Sequence, residues 1–297
     1  MNWSTYNQSL VRRGELLIAF DVINNWDAEL KETNKDKVGE PFRHPNTFLL
    51  LLGYAKEYIH RPFKQTESMA QGDAKGKVPS IPDYSTISRR INKLYIKVKE
   101  DDKSKEFEVE YITIAIDSTG IKVTNRGQWM KDKWNVKKKG YLKIHIAVDV
   151  KSKKILSMQV TDEHAHDSKA LPELVDNVAR SDNVTTIGKL FADGAYDGND
   201  IFRYLSDNGI LPCIKVRKNA KVRWKKGNNL RNLSVISQKK DLQKWKYSVS
   251  YGQRWIVETV FSSIKRMFGE YVYSVRLKNM IQEMMLKASL YNKLITV

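Results

Sequence analysis

Four polar residues near the C-terminal end of this 297-residue chain have types and spacings that could serve chemistry on a polyanion. Arg254, Glu258 and Lys265 follow Tyr251 by three, seven and fourteen positions. At ~100° per residue, all four would fall within a ~60° sector of one α-helix. A glutamate between two cations on one helical face suits an acid that binds a metal ion beside phosphate. The alternative interpretation is an ordinary amphipathic helix with surface ion pairs.

Two aspartates supply the other acids that such chemistry requires. Phosphoryl transfer on DNA is commonly catalysed by two divalent ions ~4 Å apart, and these ions prefer carboxylate ligands. Asp117 interrupts an alternating isoleucine pattern and Asp193 follows a short apolar run, so both are predicted at strand ends. We therefore expect Asp117, Asp193 and Glu258 to hold two Mg²⁺ or Mn²⁺ ions. A turn-forming role is the alternative for Asp117, and the nearby Asp197 and Asp200 compete with Asp193.

The composition indicates a nucleic-acid partner. The chain has 52 Lys and Arg against 34 Asp and Glu, a formal net charge of +18 and a pI near 9.7, which favours association with a polyanion. Cys213 is the single cysteine, which excludes an intrachain disulfide and a cysteine-built zinc site. The apolar runs Leu16 to Phe20 and Phe48 to Leu52 are too short for a signal peptide or a membrane span. We therefore expect a cytoplasmic, nucleoid-associated protein with no membrane partner.

The remaining members of the C-terminal row are predicted to contact DNA. Arg254 could bind phosphate through a forked pair of hydrogen bonds, and Lys265 could act as a point charge. Tyr251 could orient DNA where the helix begins. The structural alternatives are ion pairing for the two cations and edge packing for the ring.

The chain divides by pattern into a helical region, 1–105, and a mixed α/β region, 106–297. The charged run Lys99 to Glu110 is the predicted linker between them. From Tyr111 onward, three consecutive strands are followed by helices that alternate with parallel strands. This order predicts a mixed five-stranded sheet flanked by helices, with a basic insertion at about 218–249.

A helix in the first region has the inventory needed to contact DNA. Pro82 and Asp83 provide a stop and a cap, and apolar residues at helical spacing predict a helix from Ser85 to Val98. Polar and basic residues on this helix suit phosphate and base-edge contacts. These DNA-binding candidates are Ser85, Thr86, Arg89, Arg90 and Lys93. The pattern predicts a helix-turn-helix, and the alternative is a solvated basic helix.

Two basic stretches with interleaved aromatic residues are predicted to contact the DNA backbone. The first runs from Lys122 to Lys143, includes Trp129 and Trp134, and contains a run of three lysines. That run is Lys137, Lys138 and Lys139, which we expect to contact phosphate. The second stretch runs from Lys215 to Lys246. A charge run is often only a solvated face, which is the alternative for both.

A histidine-containing segment permits a different interpretation, a zinc site. Its candidate ligands are His145, Asp162, His164, His166 and Asp167. His145 alternates with apolar neighbours in a strand, which is typical of a structural histidine, and Asp167 could cap the helix that follows. We therefore favour a structural segment, with an auxiliary role for His145 if its strand pairs beside Asp117.

The stretch YGQRWIVETVFSSIK resembles the signature around the catalytic glutamate of insertion-sequence transposases of the aspartate-aspartate-glutamate (DDE) class, in particular the insertion-sequence-five group. Other segments resemble landmarks of that family in the same order. These are WSTYNQSLVRRG, PDYSTISRR, ITIAIDSTGIK, KGYLKIHIAVD and FADGAYDG. The resemblance implies a ribonuclease-H-like catalytic domain, and it agrees with the choice of Asp193.

The resemblance also implies a function. A DDE transposase binds the terminal inverted repeats of its element as double-stranded DNA, cleaves there and joins the 3′ hydroxyls to target DNA without a covalent protein-DNA intermediate. A dimer on DNA is expected by family analogy. The alternatives are a transposase-derived DNA-binding protein without catalysis, and a related ribonuclease-H-like nuclease or resolvase.

Overall fold

The computed structural model describes residues 3–18, 24–98, 110–123, 141–162, 164–180, 185–224 and 229–296. The predicted linker is described only at Glu110. Five sequence-predicted DNA-contacting residues lie outside the described residues, namely Trp129, Trp134, Lys137, Lys138 and Lys139.

Within the described part of the chain, helices precede the first strand. They are α1 (Trp3–Ile18), α2 (Trp26–Asn34), α3 (Asn46–Ile59), α4 (Phe63–Asp73) and α5 (Tyr84–Ile91). Strands and helices then follow in mixed order. They are β1 (Glu110–Val123), β2 (Tyr141–Asp149), β3 (Ile155–Asp162), α6 (Asp167–Arg180), β4 (Thr185–Ala192), α7 (Asn199–Asp207), β5 (Leu211–Ile214), α8 (Asn229–Lys240), α9 (Leu242–Val249), α10 (Trp255–Phe268), β6 (Tyr271–Val272) and α11 (Leu277–Thr296).

The strands form one mixed sheet in the order β3-β2-β1-β4-β5. β2 is antiparallel to both β1 and β3, whereas β4 is parallel to β1 and β5. The short β6 adds a sixth strand by pairing in parallel with the end of β1 at Lys122 and Val123. The predicted mixed α/β fold is therefore confirmed, and the sixth strand is an addition that two residues are too few to signal in sequence.

Alternation along β1 separates two faces of the sheet. Ile114 and Ile116 lie in a core with α6 and α7, which includes Leu171 and Phe202. Because successive strand residues point to opposite faces, Asp117 points away from that core. Helix α10 contacts β1, and Arg254, the residue directly before this helix, pairs with Asp117, so this segment covers the second face.

The chain forms two compact units, Met1–Lys97 with Ser274–Val297, and Val98–Tyr273. The first boundary lies near the predicted one, but α11 belongs to the helical unit, although the sequence pattern placed it in the α/β region. Its contacts explain the assignment. Tyr54 of α3 hydrogen-bonds Ser289 across 2.7 Å, and Leu286 lies 3.2 Å from the Cβ position of Gly53.

Helix α5 is shorter than the predicted helix to Val98. The Asn92 side chain donates to the Ser88 carbonyl, and the Gln282 amide of α11 donates to the carbonyls of Ile91 (2.9 Å) and Leu94 (2.7 Å). These bonds satisfy carbonyls that a longer helix would pair internally. The connection from α4 to α5 spans 74–83, which is longer than the 3–4-residue turn of a typical helix-turn-helix.

Candidate active site

Asp117 was predicted at the end of its strand, but β1 continues to Val123, so Asp117 lies within the strand and opposite Ile146 of β2. Pairing of β1 with β4 ends at Ala115, and pairing with β6 begins only at Lys122. The Asp117 side chain is 20% exposed and its Oδ1 accepts the Ser118 amide at 2.8 Å. Burial raises the pKa of Asp117, the Ser118 hydrogen bond opposes the rise, and the Asp193 carboxylate adds to it. A half-buried acid with this environment favours a nearby cation.

Asp193 directly follows β4, as the sequence predicted for a strand end. Its Oδ1 accepts the Ala195 amide at 2.8 Å and caps the short 3₁₀ turn Gly194–Tyr196. Since the Asp193 charge acts on Asp117, the two acids occupy one electrostatic neighbourhood. The register of β1 and β4, in which Ala115 is paired with Phe191, places Asp193 near Asp117, but Asp193 does not line the cleft that Asp117 and Glu258 share.

The two competing aspartates have other surroundings. Asp197 is buried and accepts Arg231 Nε at 2.7 Å and Nη2 at 3.1 Å, so its charge is matched by a forked partner. The Arg217 amide also donates to Asp197, at 2.9 Å. Asp200 is 96% exposed in the first turn of α7. These placements favour Asp193 over both, and Asp197 anchors α8 through Arg231.

Arg254 joins Asp117 to Glu258. Its Nη1 donates to Asp117 Oδ2 at 3.1 Å, and its Nη2 pairs with Glu258 Oε1. Glu258 is 55% exposed, whereas Arg254 and Asp117 are each 20% exposed. The guanidinium therefore lies between two of the three predicted acids and offsets one of their two negative charges.

The predicted continuous helix through all four signature residues is wrong at its start. Tyr251–Arg254 is a 3₁₀ turn, and α10 begins at Trp255. Ser250 has a left-handed conformation (φ 59°) that ends α9 and redirects the chain. Only Glu258 and Lys265 therefore keep the helical register that the spacing predicted.

The structure corrects the predicted DNA contact of Tyr251. Its ring is buried against Phe191 and Trp245, and its hydroxyl donates to the Ala192 carbonyl at 2.9 Å. Burial raises its pKa to about 12. Tyr251 therefore holds the end of β4 directly before Asp193 and has no free face for DNA.

Lys265 does face the site. It lines an open cleft of about 530 Å³ together with Asp117 and Glu258. Arg266 lies on the same cleft and was not among the predicted contacts. The carboxylates suit bound metal ions, and the two basic side chains suit contact with the phosphates of a DNA backbone.

Tyr196 places a polar atom without a partner near the acids. The residue is fully buried, and its hydroxyl has no hydrogen-bond partner among the residues that the structure describes. Burial raises its pKa, and the charges of Asp167, Asp117 and Asp193 reinforce the rise. A neutral hydroxyl is thus held close to three carboxylates, where it can donate to an oxygen.

Polar residues of α5 and of the turn directly after it form a separate surface on the helical unit. Ser85, Arg89 and Lys93 are exposed and Thr86 is half-buried. Arg89 and Lys93 line a cleft of about 870 Å³. These four side chains remain accessible to a partner.

The structure corrects the predicted DNA contact of Arg90. Its guanidinium is buried, lies 3.6 Å from the centre of the Phe42 ring and donates to Asn46 Oδ1. Arg90 therefore holds the loop before α3, and its side chain forms part of the wall of the cleft that Arg89 and Lys93 also line.

The sequence did not predict a polar cluster that contacts Ser118, the residue directly after Asp117. Asp167 accepts Ser118 Oγ and pairs with Lys143 Nζ, both at 2.7 Å, and lies 3.5 Å from His145 Nδ1. The predicted pairing of the His145 strand beside Asp117 is present, since Ser118 is opposite His145. The shared two-residue spacing of Lys143 and His145 was the available signal. Across the described residues, no three His, Cys, Asp or Glu side chains are grouped closely enough to hold a metal ion, and this applies to the predicted zinc ligands and to Asp117, Asp193 and Glu258 alike.

A mixed sheet of this order, flanked by helices and carrying acids at the rim of its central strands, defines a ribonuclease-H-like domain of the transposase type. Family comparison gives the same class. A profile described as "Transposase DDE domain" matches residues 109–293, and a second with the same description matches 11–126. The chain belongs to the DDE transposase family.

Family membership makes this protein a transposase, and DDE transposases are enzymes that cleave and join DNA with divalent metal ions. Within the described ranges, no helix is long and apolar enough to cross a membrane.

The side chains at the sheet rim have oxygen donors of the type that divalent metal ions prefer. Asp117 and Glu258 are hard oxygen donors that already share one cation, the Arg254 guanidinium, and the unpartnered Tyr196 hydroxyl lies near Asp117 and Asp193.

Proposed function

We propose that this transposase binds the inverted-repeat ends of an insertion sequence, cleaves them, and joins the 3′ hydroxyls to target DNA by two-metal phosphoryl transfer. The observation that carries the proposal is the Arg254 bridge between Asp117 and Glu258 at the rim that also bears Asp193. Two acids from distant parts of the chain meet around one positive charge there. That is the electrostatic requirement of a metal-dependent nuclease centre.

Asp117, Asp193 and Glu258 would hold two Mg²⁺ or Mn²⁺ ions. When bound, these ions activate the attacking oxygen and stabilise the leaving oxygen. Arg254 offsets part of the negative charge of Asp117 and Glu258 before metal binding. The five N–H donors of Arg254 suit a scissile or flanking phosphate. Lys265 adds a positive charge in the cleft that Asp117 and Glu258 line.

The proposed partner is double-stranded DNA, both as element ends and as target. The net charge of +18 supports backbone binding. The proposed contacts are Ser85, Thr86 and Arg89 on α5 and Lys93 just after it, where the side chains are accessible. Lys137, Lys138 and Lys139 remain proposed phosphate contacts. Cleavage of two ends in one event suits a dimer on DNA.

The test is a strand-cleavage and joining assay on the flanking DNA of the native element. We expect nicking at the repeat ends with Mg²⁺, none with a chelator, and transfer of labelled 3′ ends into a supercoiled plasmid. Cleavage without joining would instead indicate a nuclease or resolvase. Metal-independent binding with no nicking would indicate a DNA-binding protein without catalysis.

A matched pair of arginines tests the role of α5. Arg89→Ala is expected to weaken binding to DNA and to reduce the slope of log affinity against log salt by about 1, because one phosphate contact is lost. Its exposure predicts an unchanged melting temperature. Binding titrations at several salt concentrations and thermal melting measure both effects.

Arg90→Ala is the control, with the opposite expectation. Loss of the Phe42 stacking and the Asn46 bond should reduce the free energy of unfolding by about 2 kcal/mol. The salt slope of the folded variant should match that of the wild type. A changed slope in Arg90→Ala with an unchanged slope in Arg89→Ala would contradict this assignment of the two side chains.

A further inference from the structure

The polar cluster around Asp167 lies on the opposite face of the sheet from Asp117. Ser118 and His145 are directly opposite each other on β1 and β2, so their side chains share one face. Asp167, in the first turn of α6, receives contacts from that face. Ser118 Oγ, Lys143 Nζ and His145 Nδ1 all approach the same oxygen of Asp167, Oδ1.

Ser118 connects the two carboxylates directly. Its hydroxyl donates to Asp167 Oδ1 at 2.7 Å, and its backbone amide donates to Asp117 Oδ1 at 2.8 Å. The second oxygen of Asp117, Oδ2, is the one that faces Arg254. One carboxylate oxygen of Asp117 is thus held by the Ser118 amide, and the other faces the guanidinium of Arg254.

The surroundings of the Asp167 carboxylate favour its charged form. Burial alone would raise its pKa, but the hydrogen bonds from Lys143 and Ser118 outweigh burial and lower it. Its position in the first turn of α6 adds the favourable end of the helix dipole. Burial lowers the pKa of His145, whose Nε2 is 2.9 Å from Thr161 Oγ1. Asp167 is therefore a fixed acceptor, tied to both neighbouring strands.

We propose that Asp167 is a positioning residue for the metal centre, acting through Ser118 to hold Asp117 in a cation-binding orientation. This inference rests on the proposed function, because it assumes that Asp117 is a metal ligand. Partners that orient a ligating carboxylate typically change metal affinity 10–100-fold when they are removed. We expect the same order of effect here, without any contact between Asp167 and the metal.

The experiment measures Mn²⁺ binding to the full chain without DNA, by calorimetry and by the rise in melting temperature with added Mn²⁺. Ser118→Ala and Asp167→Ala should each bind Mn²⁺ about tenfold more weakly than the wild type. Ser118→Thr keeps the hydroxyl and should restore affinity to within about twofold of the wild type. The Mn²⁺ concentration for half-maximal cleavage should shift in parallel.

Ser152→Ala is the matched control. Ser152 also donates its hydroxyl to an aspartate, Asp149, but in the turn between β2 and β3. Its loss can lower the melting temperature without metal, and it should leave Mn²⁺ affinity unchanged. Measuring both the melting temperature without metal and the Mn²⁺ affinity of Ser118→Ala therefore separates a positioning role from a loss of general stability.

The outcomes distinguish two failures. If Asp117→Asn weakens Mn²⁺ binding but Ser118→Ala and Asp167→Ala bind as the wild type does, the positioning role is overturned and the proposed function stands. If Asp117→Asn binds Mn²⁺ with wild-type affinity, the metal assignment is overturned together with the positioning role. Restored affinity in Ser118→Thr, with loss in Ser118→Ala, supports both.

Discussion

Asp117→Asn is expected to reduce cleavage of the element ends by at least about 10³-fold, as measured by single-turnover nicking with Mg²⁺. Each 1.36 kcal/mol of lost transition-state stabilisation costs a factor of ten, and a bound metal supplies several kcal/mol. Asparagine keeps the size of Asp117 and the acceptor for the Ser118 amide. It removes the negative charge that Arg254 now balances and that a metal would require.

Retained DNA binding separates lost chemistry from lost folding. Arg254 keeps its second partner, Glu258, in the variant, so we expect the start of α10 to stay in place. Binding to labelled ends in a chelator should be within about twofold of the wild type. Asp200→Asn is the matched control, because that carboxylate is 96% exposed in the first turn of α7, and cleavage should be unchanged. Cleavage by Asp117→Asn within tenfold of the wild type would refute the assignment of Asp117.

The elements of the α/β unit could be predicted because their signals are local. Alternation identified β1, and Asp117 was visible as the charged residue that breaks an isoleucine pattern. The mixed fold followed from element order. Strand β6 and the contacts of Asp167 could not be predicted, because the strand is two residues long and the contacts come from two different strands, β1 and β2.

The signature region shows where a local pattern misleads. The spacing from Tyr251 to Lys265 fits a continuous helix, yet the left-handed Ser250 starts a 3₁₀ turn instead. The Tyr251 side chain is then buried in the core, where its hydroxyl donates to the carbonyl of Ala192, 59 residues away in sequence. Arg90 is a parallel case on α5, where stacking on Phe42 overrides an otherwise polar helical face. Such long-range partners cannot be read from residue type and spacing.

The second large effect is expected in the helical unit, where Lys287 is buried between two glutamates. Its Nζ lies 2.9 Å from Glu283 Oε1 and 3.7 Å from Glu57 Oε2, and all three side chains are at most 4% exposed. Lys287→Met keeps the length of the side chain but leaves two buried carboxylates with less compensation. We expect the free energy of unfolding in urea at pH 7 to fall by about 3–5 kcal/mol. Lys278→Met, at an exposed position on the same helix, should change it by less than about 0.5 kcal/mol.

The pH dependence of this loss identifies its cause. In the wild type, burial would raise the pKa of Glu283, but Lys287 outweighs burial and lowers it, so this glutamate stabilises the fold above its unfolded pKa. Without Lys287, burial should raise the folded pKa of Glu283 above the unfolded value. The variant then gains stability relative to the wild type as pH falls toward the ordinary glutamate pKa. Burial already raises the pKa of Glu57 despite its pairing with Lys56, and loss of Lys287 should raise it further, in the same direction as Glu283.

A double variant completes the argument. Adding Glu283→Gln to Lys287→Met removes the uncompensated charge, and at least half of the lost stability at pH 7 should return. The difference between Lys287→Met and the wild type should also shrink between pH 7 and about pH 4.5. A loss that is constant over this range, or that persists in the double variant, would mean that packing of the lysine stem against α3 dominates. In that case the buried charges would contribute little to holding α11 in the helical unit.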